Sequence, residues 1–155
     1  MSVQLSVTYN GQGQTLEVDD EEIIMFPEGL VGFAGWRRFV LLEDPNEAPI
    51  GILQCLDDVE VSFLVTDPRS ICPDYDLGIA LEQVGELGLE RAEDAQVLCT
   101  LAIQERPLVV TADLLGPIIV NPRTRLARQI VLQHSQYSAQ HPVLSVEGVP
   151  TGGKQ

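Results

Sequence analysis

Residues 94–105 read D-A-Q-V-L-C-T-L-A-I-Q-E, and this stretch decides the fold class. In an extended chain Val97, Cys99, Leu101 and Ile103 share one face, and Leu98, Thr100 and Ala102 share the other, because side chains alternate along a strand. A strand of an antiparallel sheet with one solvated side shows one apolar and one polar face. Apolar residues on both faces therefore predict a strand at the centre of a sheet or in the wall of a barrel. Pro107 lacks the amide proton that a ladder needs and ends the run.

The segments on either side extend the same reading. Val3, Leu5, Val7 and Tyr9 alternate with polar residues, as do Leu16 and Val18, and Asn10-Gly11 lies between the two runs. Both turn residues tolerate positive φ, so the pattern predicts a hairpin. Further strands are expected over residues 23–26, 39–42, 50–55, 61–66, 117–120 and 129–132. A single helical turn is expected over residues 34–37, with Trp36 largely buried. Leu77, Leu81, Val84 and Leu87 recur at helical spacing, with Gly88 as the stop, which predicts a short helix over residues 77–89. Many short strands with frequent turn signals predict a mainly β fold: a small antiparallel β-barrel-like domain with one or two short helices. Residues 1–144 are expected to form this domain and residues 145–155 a flexible tail.

Charge narrows the function. The net charge is −14. Residues 1–94 carry 20 acidic and 4 basic side chains, and residues 95–155 carry 3 and 5, giving −16 and +2. Such a chain repels polyanions, which argues against direct binding to nucleic acid or to an anionic membrane and favours a basic protein partner. Cys55, Cys72 and Cys99 are odd in number and widely spaced, which fits neither a disulfide framework nor a zinc site. A reducing, cytoplasmic compartment follows. No signal peptide and no membrane-spanning run is read from the sequence.

Against this acidic background, residues 121–128 read N-P-R-T-R-L-A-R. Arg123, Arg125 and Arg128 cluster beside a turn opened by Asn121-Pro122. If the turn ran on as a strand, Arg123 and Arg125 would share a face and Arg128 would oppose them. Guanidinium groups match carboxylates bidentately, so the cluster either recognises a partner or ties down acidic loops of its own chain. A second candidate is Asp74-Tyr75 in D-P-R-S-I-C-P-D-Y-D. Asp67, Asp74 and Asp76 match no calcium loop and read as turn chemistry, while a loop Tyr supplies contact area at interfaces. His134 and His141 neighbour no nucleophile, and no phosphate loop is present. Neither catalytic residues, a cofactor site nor a metal site is assigned. The alternative class is a small-molecule-binding β-barrel or a hydrolase using loop carboxylates. A third is an acidic mimic of nucleic acid.

Several blocks together resemble the flagellar assembly factor FliW family: E-V-D-D-E-E-I-I-M-F-P-E-G-L-V-G-F, R-R-F-V-L-L-E, D-P-R-S-I-C-P-D-Y-D, and L-L-G-P-I-I-V-N-P-R-T-R-L-A-R-Q-I-V-L followed by Tyr137-Ser138 and His141-Pro142. They are collinear over roughly residues 15–144. Val31, Gly35, Ser70, Cys72 and Leu126 depart from the family pattern. The resemblance implies a non-enzymatic cytoplasmic protein that binds the RNA-binding translational regulator CsrA, relieves its repression of flagellin mRNA, and binds flagellin in a partner switch. Asn121, Arg123 and Arg125, as contacts or their direct support, and the Asp74-Tyr75 loop are the expected partner-binding residues.

Overall fold

The computed structural model describes residues 2–9, 12–133 and 135–144. Strands β1 (Ser2–Tyr9) and β2 (Gln12–Asp19) form a two-stranded antiparallel ribbon with Val3 opposite Val18 and Leu5 opposite Leu16. The Asn10-Gly11 turn expected between them lies outside the described residues, as do His134 and the tail over residues 145–155.

The remaining strands are β3 (Ile24–Met25), β4 (Arg38–Glu43), β5 (Gly51–Cys55), β6 (Ser62–Thr66), β7 (Gln96–Gln104), β8 (Val109–Ala112), β9 (Ile118–Asn121), β10 (Leu126–Gln129) and β11 (His141–Leu144). Seven of them close a barrel in the order β7-β6-β5-β4-β3-β10-β9 and back to β7. Every pairing in the ring is antiparallel except the short parallel contact of β3 with β10. Closure depends on β7. One of its edges pairs with β6, while the other is shared. Gln96, Val97 and Leu98 pair with β9, and Leu101 to Gln104 pair with β8, which in turn carries β11.

The apolar pattern on both faces of β7 now has a physical reason. Leu98 joins the barrel interior with Ile24, Phe26, Phe39, Leu53, Cys55, Val65, Ile118, Val120 and Ala127. Cys99, its neighbour, points to the outside and packs with Tyr75, Val84, Leu87, Ala112, Leu114, Ile119, Ile130 and Leu132 in a second core. Full burial of a side chain of this size contributes about 1.5–3 kcal/mol, so both faces of the barrel wall contribute to stability. The interior is lined by apolar side chains, with Phe26 edge-on to Phe39 at a centroid distance of 5.1 Å.

Three expectations need correction. The helix expected over residues 77–89 is a 3₁₀ segment, Gly78–Leu87, interrupted at Val84 (φ −119°, ψ 34°). Val84 and Leu87 are both fully buried in the outer core, so the break falls at a residue that packing holds in place. Gly88 ends it in the left-handed region at φ 76°. Residues 34–37 form a turn rather than a helix, with Trp36 N–H donating to Phe33 O. Trp36 is half-buried and stacks on exposed Phe33 at 4.3 Å. Finally, the strand expected over residues 129–132 begins at Leu126 and ends at Gln129. The turn closes when Arg125 N–H donates to Asn121 O, and the strand resumes at once with Ala127 facing the interior.

Candidate functional site

Asn121 is the last residue of β9 and is 2% exposed. Its side chain is used at both ends: Nδ2 donates to Leu87 O at 2.9 Å, and Oδ1 accepts from Arg123 N–H at 2.9 Å. The second bond makes the turn chemistry expected of Asn-Pro. Thr124 Oγ1 also donates to Leu87 O at 3.0 Å, and an Arg123 terminal nitrogen donates to Gly88 O at 3.1 Å. The last carbonyls of a helical segment have no partner within it. Here the N-P-R-T turn supplies those partners, so Asn121, Arg123 and Thr124 together cap the 3₁₀ segment.

The other two arginines also reach other parts of the chain. Arg125 adopts φ 62° and donates from a terminal nitrogen to Glu22 O at 3.0 Å, while Met25 N–H donates to Arg125 O. Arg128 lies on β10 and pairs with Glu86 at 3.0 Å and Glu28 at 3.5 Å, besides donating to Gln83 O. Because Arg123 and Arg125 sit inside the turn, strand alternation does not govern them. They point to different elements instead of sharing a face. The cluster therefore braces the barrel wall against the 3₁₀ segment on one side and the Asp20–Glu22 turn on the other.

Arg123 remains exposed while its guanidinium donates to Gly88 O. It borders a cleft of about 300 Å³ lined also by Gly88, Glu90, Asp94, Asn121 and Pro122. A guanidinium has five N–H donors, so this side chain can accept a carboxylate or carbonyl from outside without giving up its cap. The cleft offers both signs of charge within one contact area.

The second predicted site divides. Tyr75 is 3% exposed and its hydroxyl donates to Leu114 O at 2.7 Å. Its ring lies 4.5 Å from that of Tyr137, whose hydroxyl accepts from Asp76 N–H. Burial holds the Tyr75 phenol well above its ordinary pKa, with the surrounding Cys99, Tyr137 and Asp113 adding to the shift. The Tyr75 ring thus anchors the loop in the outer core, and Asp74 is the member of the pair that faces solvent. Asp67 accepts from Arg69 N–H at the start of its own 3₁₀ turn, as turn chemistry requires.

Some of the bracing was not foreseen. Thr124 and Tyr137 carry no local pattern that marks them. Asp57 receives the Arg37 and Arg38 amides at 2.8 and 2.9 Å and the Arg38 guanidinium at 3.0 Å. Its burial works against ionisation, but these three donors outweigh it and hold its carboxyl below the ordinary value. Cys99 is pushed up to about 12, first by burial and then by Asp113 and Asp67, and Cys55 is raised first by burial. Among the described residues no group of His, Cys, Asp and Glu is placed to hold a metal ion, and no helix is long and apolar enough to cross a membrane.

With this geometry in view, the chain was compared with known proteins. Residues 8–144 match the family described as FliW protein. The chain belongs to the FliW family. Its relatives include the flagellar assembly factor FliW of Desulfitobacterium hafniense strain Y51, 37% identical over 143 residues that cover 90% of this chain and 94% of that protein. The flagellar assembly factor FliW of Natranaerobius thermophilus is 33% identical over 139 residues, covering 89% and 92%. That of Bacillus licheniformis is 34% identical over 139 residues, covering 90% and 95%. The crystal structure of a flagellar assembly factor FliW superposes with a TM-score of 0.80 at 26% identity, covering 90% of this chain and 96% of that one. The mainly β barrel of this FliW-family chain agrees with that structure.

Proposed function

We propose that this FliW-family chain is a non-enzymatic cytoplasmic factor in flagellum assembly that acts by binding proteins. In this reading it binds a CsrA-type RNA-binding regulator, relieving repression of flagellin mRNA, and it binds flagellin, so that occupancy by one partner limits the other. The observation that carries the reading is family membership over residues 8–144. The charge supports it: 20 of the 23 acidic side chains lie within residues 1–94. A regulator that holds RNA needs a cationic surface, and opposite fields speed encounter and select the partner.

For contacts, we assign Arg123 and Asp74 as the exposed side chains that touch a partner. Asn121, Arg125 and Tyr75 are the direct support that fixes the two loops. Neither a cofactor nor a metal is required. The test is a pull-down of the purified chain with CsrA and with flagellin at micromolar concentration in low salt. Retention of both supports the reading, and retention of neither overturns it. CsrA binding should also weaken as salt rises, since screening acts on exposed charges.

A further inference from the structure

Exposed apolar side chains gather apart from the Arg123 cleft, with Arg128 at their edge. Val31, Phe33 and Val131 are 55%, 51% and 42% exposed. All three line one groove of about 490 Å³, together with Leu30 and Ile130. Clustered apolar exposure of this kind marks an interaction surface.

The groove exists because two neighbouring strands part company. The ladder of β3 with β10 ends at Leu126 opposite Met25. Beyond it Phe26 N–H continues the ladder with β4 at Arg37 O, Pro27 has no amide to offer β10, and the chain enters a tight turn at Gly29 (φ 71°), where a Cβ would lie 2.6 Å from Phe33 O. The β10 chain instead runs straight on, with Ile130 and Leu132 donating to Pro117 O and Leu115 O. Successive backbone groups of an extended chain face opposite edges. The amides and carbonyls of Gln129 and Val131 therefore face the gap that β3 has left. Among the described residues neither amide has a backbone partner there. The Gln129 side chain spans the start of the gap, accepting from Val31 N–H at 3.0 Å. Glu28 lines one end with 62% of its side chain exposed, and Glu86, 45% exposed, joins it through Arg128, which pairs with both. Two carboxylates to one guanidinium leave that end net negative.

We propose that this groove receives an extended segment of a partner protein, which adds as a strand along the open edge at Gln129 and Val131. Strand addition draws affinity from main-chain bonds and specificity from alternate side-chain contacts. The segment places apolar side chains against Val31, Phe33 and Val131 and a Lys or Arg toward Glu28 and Glu86. The proposal rests on the reading of the chain as a protein-binding factor and names the surface that the arginine turn leaves unassigned.

The test is amide-resolved hydrogen exchange by NMR on the full chain, alone and saturated with purified CsrA or, separately, with purified flagellin. CsrA, the cationic partner that the net-negative end favours, should slow exchange at Gln129 and Val131 at least tenfold, and flagellin should not. Affinities of Val131→Pro and Phe33→Ser should fall at least tenfold for CsrA, while Ile103→Ser, exposed on β7 outside the groove, binds as the parent does. Pro at residue 131 removes an amide that has no backbone partner among the described residues, a position where Pro is tolerated, and Phe33→Ser leaves the backbone untouched. If CsrA binds but both amides exchange at their original rate and both variants bind it within twofold, or if flagellin alone protects the amides, the groove assignment is overturned alone. If neither partner binds the parent chain, the protein-binding reading fails and the groove assignment falls with it.

Discussion

Asn121 Nδ2 donates to Leu87 O at 2.9 Å across 34 residues of sequence, tying the end of β9 to the end of the 3₁₀ segment. Thr124 donates to the same carbonyl, so Asn121→Ala leaves Leu87 O satisfied and should cost about 1–2 kcal/mol of stability. Asn121→Asp keeps the Arg123 N–H bond but sets its second oxygen against that carbonyl in a site 2% exposed, and burying a charge with an acceptor facing it is more costly. In urea unfolding at neutral pH the Asp variant should be the less stable of the two. The gap should close at acidic pH as the carboxyl protonates.

Tyr75 and Arg123 separate support from contact. Tyr75→Phe removes the hydroxyl bond to Leu114 O and should cost about 1 kcal/mol with partner affinity unchanged. Arg123→Ala, at an exposed residue, should change stability by less than about 1 kcal/mol yet reduce partner affinity. Unfolding curves and isothermal titration on both variants check the pair. If Tyr75→Phe lost affinity without losing stability, the loop would have to open on binding.

Asp57 makes stability depend on acid pH. Its carboxyl pKa is lowered in the folded chain, chiefly by the Arg38 and Arg37 amides acting against burial. A group whose folded pKa is depressed stabilises above its unfolded value and loses that contribution as pH falls through the folded one. The stability gap between the parent chain and Asp57→Asn should therefore be full at pH 6 and shrink below about pH 4. Denaturant midpoints measured across that range test this, and a gap that widened toward acid would contradict it.

The three thiols should differ in reactivity. Cys55 and Cys99 are buried and Cys72 is partly exposed. The thiolate is the reactive form, and burial pushes Cys99 up to about 12. A thiol reagent on the native chain should label Cys72 rapidly and the other two only after unfolding, which peptide mapping by mass spectrometry would show.

The barrel was legible wherever alternation was strong. The residue pattern of β7 showed that both of its faces would be covered, and β4 to β6 lie within a residue of their expected bounds. The arginine turn was legible as a special place, but its use was not. Partners such as Leu87 O and Gly88 O come from a segment more than thirty residues away, and backbone carbonyls leave no mark in a sequence. The 3₁₀ segment was read as a helix because Leu77, Leu81, Val84 and Leu87 recur at helical spacing, a pattern that does not show the break at Val84. Tyr75 was read as an interface candidate or a half-buried loop side chain because it stands between Asp74 and Asp76. Its burial depends on Leu114 and Tyr137, both distant in sequence. The β10 edge was invisible for a related reason, since it depends on β3 being two residues long.

The most direct measurement is calorimetric titration of CsrA into the purified chain, first alone and then saturated with flagellin, at low and at high salt. The account predicts a micromolar or tighter complex with the free chain, weaker in high salt, and loss of that binding when flagellin is already bound. Absence of binding to the free chain, or an affinity for CsrA that flagellin leaves unchanged, would contradict it.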